Sequence, residues 1–216
     1  MLYRLNKYKL PSSELIKIKA LITARQKFVK MSVQIKNSIK ANEILSKSVS
    51  VRDIIALEKQ HLKKIEKTIS ALETKMLELI NSNEEFKKSY DRITRVIGVG
   101  PITAIKCIAE TENFIKFTNA RKFSCHCGLA PFKYESGTSI KGKTKTHYYR
   151  DSSLKAIFFK AAGSAIQHDP QLKKYYNRKI DEGKHKLSVI NAVANKLVLR
   201  IFAVAKRDEP FVKLIA

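Results

Sequence analysis

Residues 97–104 read I-G-V-G-P-I-T-A, and residues 128–145 read G-L-A-P-F-K-Y-E-S-G-T-S-I-K-G-K-T-K. In the first stretch, apolar Ile93 and Val96 lie one turn before the glycines and Ala104 one turn after them. That pattern predicts two short helices joined by a glycine-cornered turn, because Gly98 and Gly100 allow positive φ and the close approach of another backbone. Pro101 stands where it can open the second helix without losing a needed N–H. The second stretch has no long apolar period and is rich in Gly, Ser, Thr and Lys. It predicts a basic loop or a short β-hairpin, with Ser136-Gly137 and Gly142 as turn points.

Working outward, the rest of the chain keeps helical spacing. Pro11-Ser12-Ser13-Glu14 reads as a capped helix start, and apolar residues from Leu15 to Ile39 continue the helix to about Leu45, with lysines and Arg25 on the other faces. A polar break follows at 46–50, where Ser50 and Asp53 can cap a second helix. Ile55, Leu62, Ile65, Ile69, Leu72, Met76 and Leu79 then form a heptad seam interrupted only by Glu58. Such a seam packs lengthwise on another helix, either between chains or against the first helix folded back. Further helices are expected at Glu84 to Arg95, Pro101 to Glu110, Ala120 to Cys127, Ser152 to His168, Pro170 to Asp181 and Leu187 to Val204. The expected fold is therefore mainly α: a long helical hairpin or coiled coil, then a compact helical domain with a helix-hairpin-helix-like motif and a basic loop or short β-hairpin. The expected divisions are a basic N-terminal helix (1–47), a coiled-coil helix (48–92) and a C-terminal domain (93–212).

Charge narrows the function. The 216 residues carry 43 Lys and Arg against 19 Asp and Glu, a formal net charge of +24. A polyanion is the partner such a surface attracts. Aromatics sit among the basic residues at Tyr148-Tyr149-Arg150 and Lys174-Tyr175-Tyr176-Asn177-Arg178, which suits stacking as well as phosphate contact. If amides around Val99 and Gly100 point out of a helix N-terminus, they form an anion site. The turn resembles the helix-hairpin-helix motif, which grips phosphates without reading sequence; a plain glycine turn between packed helices is the alternative.

Three cysteines, an odd count, and no apolar signal segment after Met1 point to a reducing cytoplasm. Cys125-His126-Cys127 lacks a second ligand pair at zinc spacing, so buried thiols are the expectation there and no metal or cofactor is expected on this chain. No apolar run reaches bilayer-spanning length by inspection, so no membrane role is expected.

Glu110, Phe114, Phe117-Thr118-Asn119-Ala120, Cys127-Gly128-Leu129-Ala130-Pro131, Ser136-Gly137, Lys141-Gly142-Lys143 and Leu154-Lys155 fall in a recognisable order. From about Tyr90 to Val212 the chain resembles the C-terminal domain of the DEDD insertion-sequence transposases, the IS one-ten and Piv invertase group. Arg150 and Lys155 depart from the glycine and arginine that many members carry. The resemblance implies that Ser136 is the nucleophile of DNA strand cleavage and transfer, through a covalent phosphoserine. Gly98, Gly100, Lys106, Lys133, Lys141, Lys143, Lys145 and Arg150 are the expected nucleic-acid contacts.

The family pairs this domain with an N-terminal RuvC-like domain whose acidic residues bind Mg2+, and with a structured guide RNA. The chain starts where that domain would end, so the expectation is a truncated member or C-terminal part, inactive alone. Partners are expected to be DNA, guide RNA and a second copy through 51–80. The alternative is a non-catalytic remnant that binds DNA or RNA and oligomerises.

Overall fold

The computed structural model describes residues 11–136 and 139–207; for residues 133, 134, 136, 140, 141 and 143–145 only the backbone is described. Among the described residues there are eight α-helices and one two-stranded antiparallel ladder. They divide into two compact units, Met1–Ser82 and Asn83–Ala216.

The first unit is a helical hairpin of α1 (Ser13–Leu45) and α2 (Arg52–Asn81). Ser12 caps α1, its side chain accepting from the Leu15 amide, as the sequence predicts. At α2 the N-cap is Val51 rather than Ser50, and no side chain caps it. The bonds between the helices run Arg25–Glu73, Lys36–Glu66 and Glu43–Lys59, so later residues of α1 meet earlier residues of α2. The pair is antiparallel, and the partner of the heptad seam is the first helix of the same chain. Ile18, Ile22, Ile65, Met76 and Ile80 are buried along it. Glu58, the interruption in the seam, is matched by polar groups on α1: Ser38 Oγ donates to it at 2.5 Å and Asn42 Nδ2 at 3.1 Å.

The second unit contains α3 (Glu84–Thr94), α4 (Pro101–Thr111), α5 (Ala120–His126), strands β1 (Phe132–Ser136) and β2 (Ile140–Lys145), α6 (Ser152–His168), α7 (Pro170–Asp181) and α8 (Lys186–Lys206). Because α3 packs on α4 and α8, it belongs with this unit rather than with the 48–92 segment expected from the sequence. The core lies around α8, whose Val193, Ala194, Leu197, Val198 and Ile201 are fully buried and which contacts α3, α5, α6 and α7. This corrects one expectation. By length and composition α8 is apolar enough to cross a membrane, with mean hydropathy 1.6 over its best window, of which 44% is buried among the other helices. Asp169 ties α7 to α8: it caps α7 by accepting from the Leu172 amide and pairs with Arg200.

The chain leaves α4 through three successive left-handed residues, Glu112, Asn113 and Phe114, with φ of 51°, 53° and 65°. Side chains disfavour this region. The turn is held by Thr111, whose Oγ1 accepts from the Phe114 amide, and by the Phe114 ring, edge-on to Phe202 with centroids 5.0 Å apart.

Candidate functional site

The basic segment is a β-hairpin. Phe132 pairs with Lys145, Tyr134 with Gly142, Glu135 with Lys141 and Ser136 with Ile140, with a bulge between Phe132 and Tyr134. Ser136 thus ends β1, at the mouth of the turn. Lys133, Lys141, Lys143 and Lys145 lie on the two strands, but their side chains fall outside the described structure, as does that of Ser136, and Gly137 lies outside it altogether.

At the root of this hairpin the chain exposes a row of aromatic rings. Phe132 and His147 are 6.3 Å apart by centroid, His147 and Tyr149 5.6 Å, and Tyr149 and Tyr148 5.5 Å. Tyr148 and Tyr149 keep 87% and 81% of their surface exposed, values far above those of rings recruited to a core. Phe132 and His147 were missed in the sequence, where only the Tyr148-Tyr149-Arg150 run stood out. Fifteen positions separate them from each other, and only the ladder brings them together. Arg150 is exposed, and its aliphatic carbons lie over Gly128, whose φ is 67°.

Two expected contact residues sit elsewhere. Gly98, with φ of 91°, does use close approach, but the approaching backbone is α6: a β-carbon at Gly98 would lie 2.7 Å from the Ala161 carbonyl oxygen. The Val99 amide is spent on the Val96 carbonyl at 2.9 Å. Gly100 differs. It is the exposed N-cap of α4, no side chain caps that end, and a β-carbon there would meet no other part of the chain within 4 Å. Lys106 is the larger departure from the sequence reading, being 1% exposed and so not a surface phosphate contact.

The buried Lys106 ammonium donates to Ser153 Oγ, which in turn donates to Asp151 Oδ1 at 2.6 Å. The same Asp151 oxygen accepts the Ser153 amide at 2.7 Å and the Leu154 amide at 3.0 Å, capping α6. Burial pushes the Lys106 ammonium down, against the pull of Asp151 and Glu110. Burial alone would push the Asp151 carboxyl up, but the Ser153 hydroxyl, the Leu154 amide and Lys106 together hold it below the usual carboxylate range. Burial raises the Cys107 thiol to about 12 and the Cys127 thiol further. All three cysteines are free; of the two thiols expected to be buried, Cys127 is and Cys125 is only half-buried, while Cys107 is also buried.

On α7, Lys173, Lys174, Asn177 and Arg178 line a shallow, open cleft of about 480 Å³ with Pro170 and Asp181. The adjacent Tyr175 ring carries Lys196 at 4.5 Å and Arg178 at 5.7 Å. This surface can hold phosphate, and the hairpin root can stack bases.

Residues 90–177 match the model of the IS116/IS110/IS902 transposase family. The matched segment runs from α3 into α7 and holds Ser136, Lys106 and the aromatic row; α8, which fills the core, lies beyond it. The chain is also 26% identical over 149 residues to the pilin gene-inverting protein of Moraxella bovis, covering 68% of this chain and 46% of that protein. A pilin gene-inverting protein of Moraxella lacunata gives the same figures. An insertion element IS110 protein of Streptomyces coelicolor is 31% identical over 121 residues, covering 55% of this chain and 29% of that protein. The chain thus spans about half the length of the gene-inverting proteins it resembles, and less of the insertion-element protein.

Proposed function

We propose that this chain is the serine-bearing part of an insertion-sequence transposase or recombinase. The observation that carries this reading is the match of residues 90–177 to a transposase family, with Ser136 at the mouth of a lysine-rich hairpin inside that span. In this reading the Ser136 oxygen attacks a DNA phosphorus as its proton passes to a base. The phosphoserine bond forms, the deoxyribose oxygen leaves, and the phosphodiester energy is kept for rejoining. The lysines neutralise the phosphate as charge develops. The divalent metal of such chemistry belongs to a RuvC-like domain, and the DNA ends are presented by a structured guide RNA.

The exposed aromatic row at the hairpin root supports a nucleic-acid partner, since stacked rings beside lysines hold unpaired bases. Self-association is supported by the tip of the α1–α2 hairpin. There Ile44, Leu45, Val49, Ile54 and Leu57 are 47–69% exposed. That cluster, rather than the seam already filled by α1, is the surface available to a second copy.

The test is adduct formation. With a RuvC-like domain, Mg2+, guide RNA and the element's DNA ends added, the wild-type chain gives a protein–DNA adduct that survives denaturant. Ser136→Ala abolishes it while leaving binding nearly intact, and Ser139→Ala retains it. An adduct persisting in Ser136→Ala places the nucleophile elsewhere. No adduct with any variant, beside an active full-length relative, favours a non-catalytic nucleic-acid-binding remnant.

A further inference from the structure

We propose that Glu110, His126 and Asp151 form a binding site for one first-row divalent cation of the Mn2+ to Zn2+ series, at the base of the hairpin. The three residues come from three places in the fold: the last turn of α4, the C-terminus of α5 and the N-cap of α6. One ligand atom from each lies within 4.8 Å of the others, and all three side chains are partly accessible. A modest closure of that spacing gives the arrangement in which two carboxylate oxygens and one imidazole nitrogen share an ion.

The surroundings favour a ligand. Among the described residues, no hydrogen bond engages the Glu110 carboxylate or the His126 ring nitrogens. The His126 ring is fixed from the side instead, against Phe117 with centroids 5.2 Å apart. Asp151 spends Oδ1 on three donors and leaves Oδ2 uncommitted. Two carboxylates against the single buried ammonium of Lys106 leave one negative charge over, within a chain whose net charge is +24. The backbone joins the same groups, since the Asp151 amide donates to the His126 carbonyl at 2.8 Å.

The donor set selects the metal. An imidazole with two carboxylates suits Mn2+, Fe2+ or Zn2+, whereas Mg2+ prefers oxygen alone. Three protein ligands leave positions for water or for a phosphate oxygen. The cation would also tie the segment that returns from β2 to α4 and α5, and so brace the root of the hairpin. This site differs from the metal site expected in a RuvC-like domain, and of Cys125-His126-Cys127, where no metal is expected from the sequence, it uses the imidazole and neither thiol. It does not depend on the transposase reading.

The test titrates the purified chain with Mn2+, followed by electron paramagnetic resonance, and with Zn2+ by calorimetry. One ion per chain is expected. Affinity should fall about tenfold or more in Glu110→Gln and in His126→Gln, with helicity and melting temperature as folding controls. Lys106→Met, which removes the neighbouring cation, should tighten binding. Glu182→Gln, on a remote exposed carboxylate, and Cys125→Ser should bind as wild type. Mg2+ at the same concentration should not displace Mn2+. Absence of stoichiometric Mn2+ binding overturns the proposal, as does binding unchanged in both Glu110→Gln and His126→Gln. Zn2+ binding lost only in Cys125→Ser would assign the ion to thiolates and also overturn it.

Discussion

Ala165 of α6 fills the space where a side chain at Gly98 would stand: a β-carbon there would lie 2.6 Å from Ala165 Cβ and 2.9 Å from its amide nitrogen. The two glycines of the I-G-V-G-P turn therefore do different jobs. Gly98→Ala meets both a positive φ and backbone that cannot withdraw, and should cost about 2–4 kcal/mol. Gly100, with φ of −86° and open surroundings, should accept valine with little loss of stability. Denaturant melts of the two variants check the contrast. If the N-terminus of α4 holds phosphate, Gly100→Val should weaken binding to unrelated duplexes equally, most at low salt, with a shallower salt dependence than wild type. Unchanged binding assigns the whole turn to packing.

The helical hairpin separates stability from assembly. Met76→Lys places a charge where the side chain is fully buried and should unfold α1 and α2 together, seen as lost helicity. Ile44→Lys with Leu57→Lys alters only exposed tip residues. That pair should leave helicity intact and shift sedimentation to the monomer; an unchanged sedimenting mass removes the tip as an interface.

The thiols and Lys106 pull stability in opposite directions with pH. A thiol raised to about 12 at Cys107 ionises in the unfolded chain first, near its ordinary value of 9.0. Its contribution is complete below that value and is lost as pH climbs toward the folded one. Lys106, lowered by burial, loses its proton earlier in the folded state, so its share of stability grows with pH up to its ordinary 10.5. Melting curves from pH 8 to 11 should flatten in Cys107→Ala and steepen downward in Lys106→Met. At pH 8 a native thiol assay should label Cys125 alone, and denaturation should release the other two.

Tyr148 and Tyr149 are exposed enough to be removed without disturbing the core. Replacing both by alanine should weaken binding to single-stranded oligonucleotides by about 1–3 kcal/mol per lost stacking partner, and duplex binding much less. Fluorescence anisotropy with the two kinds of probe measures the difference; equal losses on both would mean that the row contacts backbone rather than bases.

What was legible in the sequence was mostly local. The bounds of α6 and α7 follow from Asp151, Asp169 and Pro170, since a cap and an N1 proline mark where a helix can start. The cap of α2 was misplaced by one residue because Ser50 was the more familiar capping type, yet Val51 holds the position with no side-chain bond. Lys106 looked like a contact residue because lysine in a basic chain suggests surface. Helix α4, however, is buried from Thr103 through Ala109, so no polar face exists for the lysine to occupy. The cluster of Glu110, His126 and Asp151 was not legible at all. Its members lie on separate elements, and no spacing rule links residues that only the packing of α4, α5 and α6 brings together.

The pairing in the first unit has a consequence for the order of folding. Arg25 and Glu73, which join α1 to α2, lie within about fifty positions of each other, and pairs nearer the turn are far closer, as in Lys59 with Glu43. The second unit is different, because α3 reaches its partner α8 only after some hundred residues of intervening chain. Local pairs close quickly and distant ones slowly. On a ribosome, the basic hairpin can therefore be complete and exposed to polyanions while the helix that finishes the core is still being made.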